Sequence, residues 1–204
     1  MKKVSKRSAL LFGTALAVCA FAGPMASAAS FFPVGVTAQL TSNDFGLSQA
    51  IGGGFSLGWS CATTQFDSDI TSAAVETITG GRFDNCRGTG IAAGCTVTAT
   101  GTHFPWSVIA PTTTSIQMRG LHVDVRYETA PGGGACIALV HNQDITYTGT
   151  LANGVVDPAT VPANRRMTFV NASGVVSHGA FGVGLPTTGG GTFRDPAGNW
   201  GLFD

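Results

Sequence analysis

The chain has 204 residues, of which 11% are charged, and its eleven basic and eleven acidic side chains sum to zero. All the lysines lie within the first six residues, so from residue 29 onward seven arginines face eleven carboxylates. A mildly acidic surface repels phosphate backbones and anionic headgroups, which excludes nucleic acid as a partner and charge-driven membrane docking. The hydrophobic fraction of 44% excludes disorder.

The first element in the chain is a secretory signal. Lys2, Lys3, Lys6 and Arg7 precede an apolar run from Ala9 to Ala22, and Ala26-Ser27-Ala28-Ala29 supplies an A-x-A cleavage pattern. The run is shorter than the roughly 20 residues of a spanning helix. Residues 1–28 are therefore read as a cleaved signal peptide and 29–204 as a single β-sandwich domain, with no transmembrane segment in the mature chain. Leu16-Ala17-Val18-Cys19 has the outline of a lipoprotein box, but Val18 is larger than the residue wanted before the cysteine.

Beyond that segment, alternation with a period of two predicts strands. Phe55, Leu57, Trp59 and Cys61 share one face, with Ser56, Gly58, Ser60 and Ala62 on the other. Thr96–Thr100 is a further strand. Leu121, Val123, Val125 and Tyr127 alternate with His122, Asp124 and Arg126, while Ile116 and Met118 stand in the opposite phase. Gly120 lies where the phase changes, which predicts a β-bulge there. Gly52–Gly54, Gly80-Gly81, Pro131–Gly134, Asn153-Gly154 and Gly189–Gly191 are expected turns or loops. Pro158 and Pro162 break the chain before an expected strand at 166–171, and a last strand at 191–204 would be anchored by Phe193, Trp200 and Phe203. The expected fold is all-β: a single β-sandwich or small barrel of short antiparallel strands.

Cys61, Cys86, Cys95 and Cys136 form an even set in an exported chain, which reads as two disulfides. Three connectivities are open. Cys86–Cys95, closing a short loop, with Cys61–Cys136 inside the core near Trp59, is the favoured one. No C-x-x-C pair supports a metal site.

The candidate catalytic and binding signals are weak. His103, His122, His141 and His178 lack metal-ligand spacing and read as surface or turn residues. Gly58-Trp59-Ser60-Cys61-Ala62 approaches a nucleophile elbow but lacks the second glycine and a following helix. Asp67-Ser68-Asp69 offers few oxygens for calcium, with Asp84-Asn85 near an expected disulfide loop. Asn171-Ala172-Ser173 fits a glycosylation acceptor and marks an exposed turn. The expectation is therefore no catalytic residue, no metal and no cofactor. The most distinctive string is His103-Phe104-Pro105-Trp106. Its proline ends or bends a strand, leaving Phe104 and Trp106 either as a core plug at a sheet corner or as hydrophobic contacts for an apolar ligand.

The order of these features is similar to the alkane oxidation protein activator family (PraB-like) and to related small secreted proteins of actinobacterial type. The residues that carry the resemblance are Trp59-Ser60-Cys61, Ile78–Cys86, the Thr-rich strand leading to Phe104-Pro105-Trp106, and the strand bearing Cys136. The resemblance implies a secreted, non-enzymatic accessory protein that handles hydrophobic substrates such as long-chain alkanes. Its partners would be hydrophobic small molecules or cell-envelope components. The alternative function is a structural or adhesive cell-envelope protein that polymerises through edge strands.

Overall fold

The computed structural model describes residues 30–112, 114–129, 136–157, 165–198 and 201–203. The signal segment 1–28, Cys19, the Pro131–Gly134 turn, Pro158, Pro162 and Trp200 lie outside the described residues.

The described residues form strands and connections with no helix. The strands are β1 (Ser30–Phe32), β2 (Thr37–Ser42), β3 (Gly46–Gly52), β4 (Phe55–Ser72), β5 (Val75–Gly90), β6 (Cys95–Gly101) and β7 (Trp106–Ile109). They continue with β8 (Ser115–Thr129), β9 (Asp144–Asp157), β10 (Arg166–Thr168), β11 (Ala172–Gly179), β12 (Gly182–Gly190), β13 (Thr192–Phe193) and β14 (Gly201–Phe203).

Neighbours in sequence are neighbours in space, all antiparallel, and the ladder closes. It runs from β3 to β4, β5, β6, β8, β9, β11 and β12, and β12 pairs back onto β3. At the opposite end of the same wall, β2, β7, β10 and β13 take the places of β3, β6, β11 and β12. A Thr41–Arg194 bridge joins the two sides there. The result is an up-and-down barrel rather than two facing sheets, and closure is what removes free edges from such a wall. β1 and β14 pair only with each other, outside the barrel ladder.

The alternation places one face of each strand inside. Leu121, Val123, Val125 and Tyr127 are buried, as are Ile116 and Met118 in the opposite phase. The switch falls at Gly120, where the β8–β9 register shifts and φ is +74°. The same change of phase occurs on β4, where Leu57, Trp59 and Cys61 give way to Thr64, Phe66, Ser68 and Ile70 as the buried set. Facing it on β5, Asn85 takes a φ of +53° between the inward Cys86 and Phe83.

Strand length departs from expectation. β4, β5, β8 and β9 have 18, 16, 15 and 14 residues, and two dipeptides expected to turn the chain lie within β5 and β9. Gly80-Gly81 sits inside β5, where a Cβ on Gly81 would come within 2.5 Å of the Phe66 ring. Asn153-Gly154 sits inside β9 in the same way. These glycines admit bulges and aromatic rings instead of turning the chain.

The four cysteines form two disulfides, but the favoured pairing is corrected. The bonds are Cys61–Cys86 and Cys95–Cys136. Cys61 and Cys86 are direct register partners on β4 and β5, with Cα atoms 3.9 Å apart. Cys86 opposes Val97, not Cys95, so the short loop does not bring that pair together. Cys95 instead opposes Thr129 at the end of β8, from which the chain runs on to Cys136.

Candidate functional site

The His103–Trp106 string lies in the barrel wall. β5 pairs with β6 at Cys86 and Arg87 and with β7 at Val75–Ile78, so the ladder lapses over Thr79–Asn85. Across this lapse the chain turns through His103 (φ +55°) and a cis Phe104–Pro105 bond. Trp106 is fully buried, with its Nε1 donating to the Thr102 carbonyl at 3.0 Å and its ring 5.5 Å from Phe66. Phe104 stacks on Trp106 at 4.6 Å and is half-buried. Both rings pack over Gly101, where a Cβ would meet Phe104 at 2.8 Å. Trp106 thus occupies the plug position, and only Phe104 retains surface that a ligand could touch.

Outside the plug, the His103 and His122 rings stack at 3.9 Å, beside Asp124. Asp124 accepts from Thr146 at 2.6 Å and from Thr102 at 3.0 Å. Burial pushes its carboxyl up, but those two hydroxyls and the neighbouring imidazoles outweigh burial and hold it below the usual carboxylate value. Among the described residues, no three His, Cys, Asp or Glu side chains are placed to hold a metal. His141 lies in the β8–β9 connection and His178 is half-buried on β11. Asp67 and Asp69 face outward from β4, while Ser68 between them points inward and donates to the buried Glu76 at 2.6 Å. Ser60 lies on an unbroken strand, and Asn171 is exposed between β10 and β11.

A different region concentrates exposed apolar surface. One end of the barrel carries the β3–β4 turn, the β5–β6 turn, the β8–β9 connection and the β11–β12 turn. Residues 51–58, 88–96, 136–143 and 179–186, which make up this tip, contain no Asp, Glu, Lys or Arg, and Arg87, Glu128 and Asp144 form its rim. Phe55 (62% exposed), Ile137 (43%), Leu139 (62%) and Val183 (81%) project from it. Phe55 is lifted out of the barrel because it follows Gly52, Gly53 and Gly54, all at positive φ, which L side chains rarely adopt. The connection at 137–143 folds on itself, with Val140 N and His141 N donating to the Ile137 carbonyl at 2.9 and 3.0 Å. That turn drives Val140 into the core and leaves Ile137 and Leu139 outside. Cys95–Cys136 staples the connection to β6, and Ile91 N donates to Ser56 O at 2.9 Å, tying the β5–β6 turn to β4.

Beneath the tip the barrel is filled. Leu57, Trp59, Ala92, Tyr127, Val140 and Tyr147 close its interior, and the two tyrosine hydroxyls meet at 3.2 Å. Gln49 Oε1 and Trp59 Nε1 lie in this region without a protein hydrogen-bond partner. The side wall is polar, with Gln117, Arg119, Asp124, Arg126, Thr146 and Thr148 facing out from β8 and β9. Arg126 grips Asp144 at 3.0 Å and Glu128 at 3.1 Å. A transmembrane barrel needs an apolar outer band and tolerates a polar lumen; this wall has the reverse arrangement.

Sequence reasoning grouped Phe55 with the core face of its strand and passed over Ile137, Leu139 and Val183. The signal that could have found them is the absence of charge from successive glycine-rich connections. No family model, curated protein or solved structure matches the chain.

Proposed function

We propose that the protein is a secreted, non-enzymatic accessory factor that handles hydrophobic substrates, in the manner of the alkane oxidation activators its motifs resemble. The observation that carries this reading is the tip with Phe55, Ile137, Leu139 and Val183 exposed on it, beyond a rim of charged side chains. A patch of this kind on an otherwise polar barrel marks an interaction site. The two disulfides are compatible with an extracellular protein. No described helix is long and apolar enough to cross a membrane. The contact is assigned to the tip, with Phe104 as a secondary apolar surface and Trp106 as its support.

The test is displacement of a fluorescent apolar probe from the disulfide-bonded mature protein by hexadecane. Saturable displacement supports the reading, and a protein that binds neither probe nor hydrocarbon refutes it. The second reading, a structural or adhesive envelope protein, has one specific observation in its favour. Among the described residues the β1–β14 pair forms a two-stranded sheet outside the closed ladder. Fibres or large assemblies in the electron microscope would favour it.

A further inference from the structure

The tip's partner follows from three features taken together: its projecting apolar side chains, its lack of net charge and the filled barrel behind it. We propose that the protein docks end-on, through Phe55, Ile137, Leu139 and Val183, onto a neutral liquid hydrocarbon surface, and does not enclose single hydrocarbon molecules. This rests on the accessory-factor reading and specifies how the contact is made.

A barrel that encloses a ligand needs an open interior. Here the space below the tip is taken by Trp59, Tyr127, Tyr147 and Val140, each no more than 1% exposed. An alkyl chain therefore has no room to enter between the loops. The projecting side chains stand on three separate connections, and together they offer on the order of a few hundred Å² of apolar area. A stable protein–protein interface buries roughly 1,200 Å² or more with matched shape. A liquid apolar phase demands no matched shape, because it flows around each side chain. The rim of the tip carries Arg87 and Arg126 against Glu128 and Asp144, with Arg126 paired to both carboxylates, so no net positive charge draws it to anionic headgroups. Along β4 the first charge below the tip is Asp67 and along β6 and β7 there is none, whereas β5, β8 and β9 place Arg87, Glu128 and Asp144 at the rim. Several strands can therefore approach an oil surface without burying an ion. Val140, packed inward, and the Cys95–Cys136 bond hold residues 136–143 ready, so little ordering of them is needed on contact.

The experiment measures depletion of the full disulfide-bonded mature protein from solution by hexadecane droplets, at low and high salt, beside the apolar-probe assay. Wild-type protein is expected to adsorb with an affinity that does not fall as salt rises. Phe55→Ser and Leu139→Ser should each weaken adsorption about tenfold or more, while unchanged circular dichroism and melting show that the fold persists. Val183→Ser serves as an independent tip variant, and Val155→Ser, an exposed apolar side chain at the opposite end of the wall, should adsorb like wild type. Adsorption that is unaffected by the tip variants, or that collapses with salt, overturns end-on docking. So does a concentration-dependent dimer abolished by Phe55→Ser without any adsorption. Binding of dissolved hydrocarbon at a fixed stoichiometry without droplet adsorption would retain the accessory reading and reject this mode. Failure of both assays would reject the reading itself.

Discussion

Two regions of the barrel carry conspicuous apolar side chains in irregular backbone, and they behave oppositely. At Thr102–Trp106 the irregularity lies midway along a strand, where the wall would otherwise gape, so the rings turn inward and fill the lapse. At Phe55, whose pair with Gly52 is the last of its ladder, and at 136–143 the irregularity lies at the end of the wall, where no opposite wall exists, so the side chains remain outside. Whether an aromatic in a broken strand becomes core or contact is decided by what faces it across the barrel.

The sharpest way to break that contrast is Trp106→Ala. As a plug, Trp106 should cost about 3–5 kcal/mol of stability when truncated, read as a lowered urea midpoint. A variant as stable as wild type would show that the ring is not core. Next come the disulfides. By loop closure, losing either bond should cost about 3–4 kcal/mol, but the two losses should differ in function. Replacing Cys95 and Cys136 with Ala should impair droplet adsorption in protein that still folds, because the 136–143 connection is released. Replacing Cys61 and Cys86 should leave adsorption intact.

A smaller effect tests the packing under the tip. Tyr127 and Tyr147 are the only tyrosines of the chain, so tyrosinate absorbance reports on them alone. Burial raises the Tyr147 hydroxyl to about 12, its hydrogen bond with Tyr127 only partly opposing this. Burial and the neighbouring Tyr147 raise Tyr127 as well. Unfolded tyrosine releases its proton near 10, so the folded state binds more protons above that pH. Stability is therefore full below about pH 10 and falls as pH rises toward 12, by roughly 1.4 kcal/mol per pH unit for each group. Tyrosinate should appear together with unfolding; ionisation near pH 10 in folded protein would mean that the hydroxyls are hydrated. The smallest expected effect is on stability in Phe55→Ser, which should stay within about 0.5 kcal/mol of wild type although adsorption drops.

Much of the wall was legible in the sequence. The alternation of Leu121–Tyr127 against Ile116 and Met118 located both the inward face and the bulge at Gly120, since a phase slip in a half-buried strand needs an extra residue. The barrel's long strands were not legible, because Gly80-Gly81 reads as a turn until Phe66 is seen lying against it. That misreading also hid the Cys61–Cys86 register, which depends on β4 and β5 being one long hairpin about Ala73 and Ala74. Phe55 was misassigned for a related reason. Its alternation with Trp59 is real, but the core ends at Leu57, and periodicity cannot show where a wall stops.

The most direct measurement of the central claim is hydrogen exchange of the mature protein on hexadecane droplets, compared with the protein in solution. End-on docking predicts slowed exchange of the amides at 52–56, 137–143 and 181–184, with Thr102–Trp106 unchanged. Slowed exchange centred on Thr102–Trp106, or no change at the tip in adsorbed protein, would contradict it.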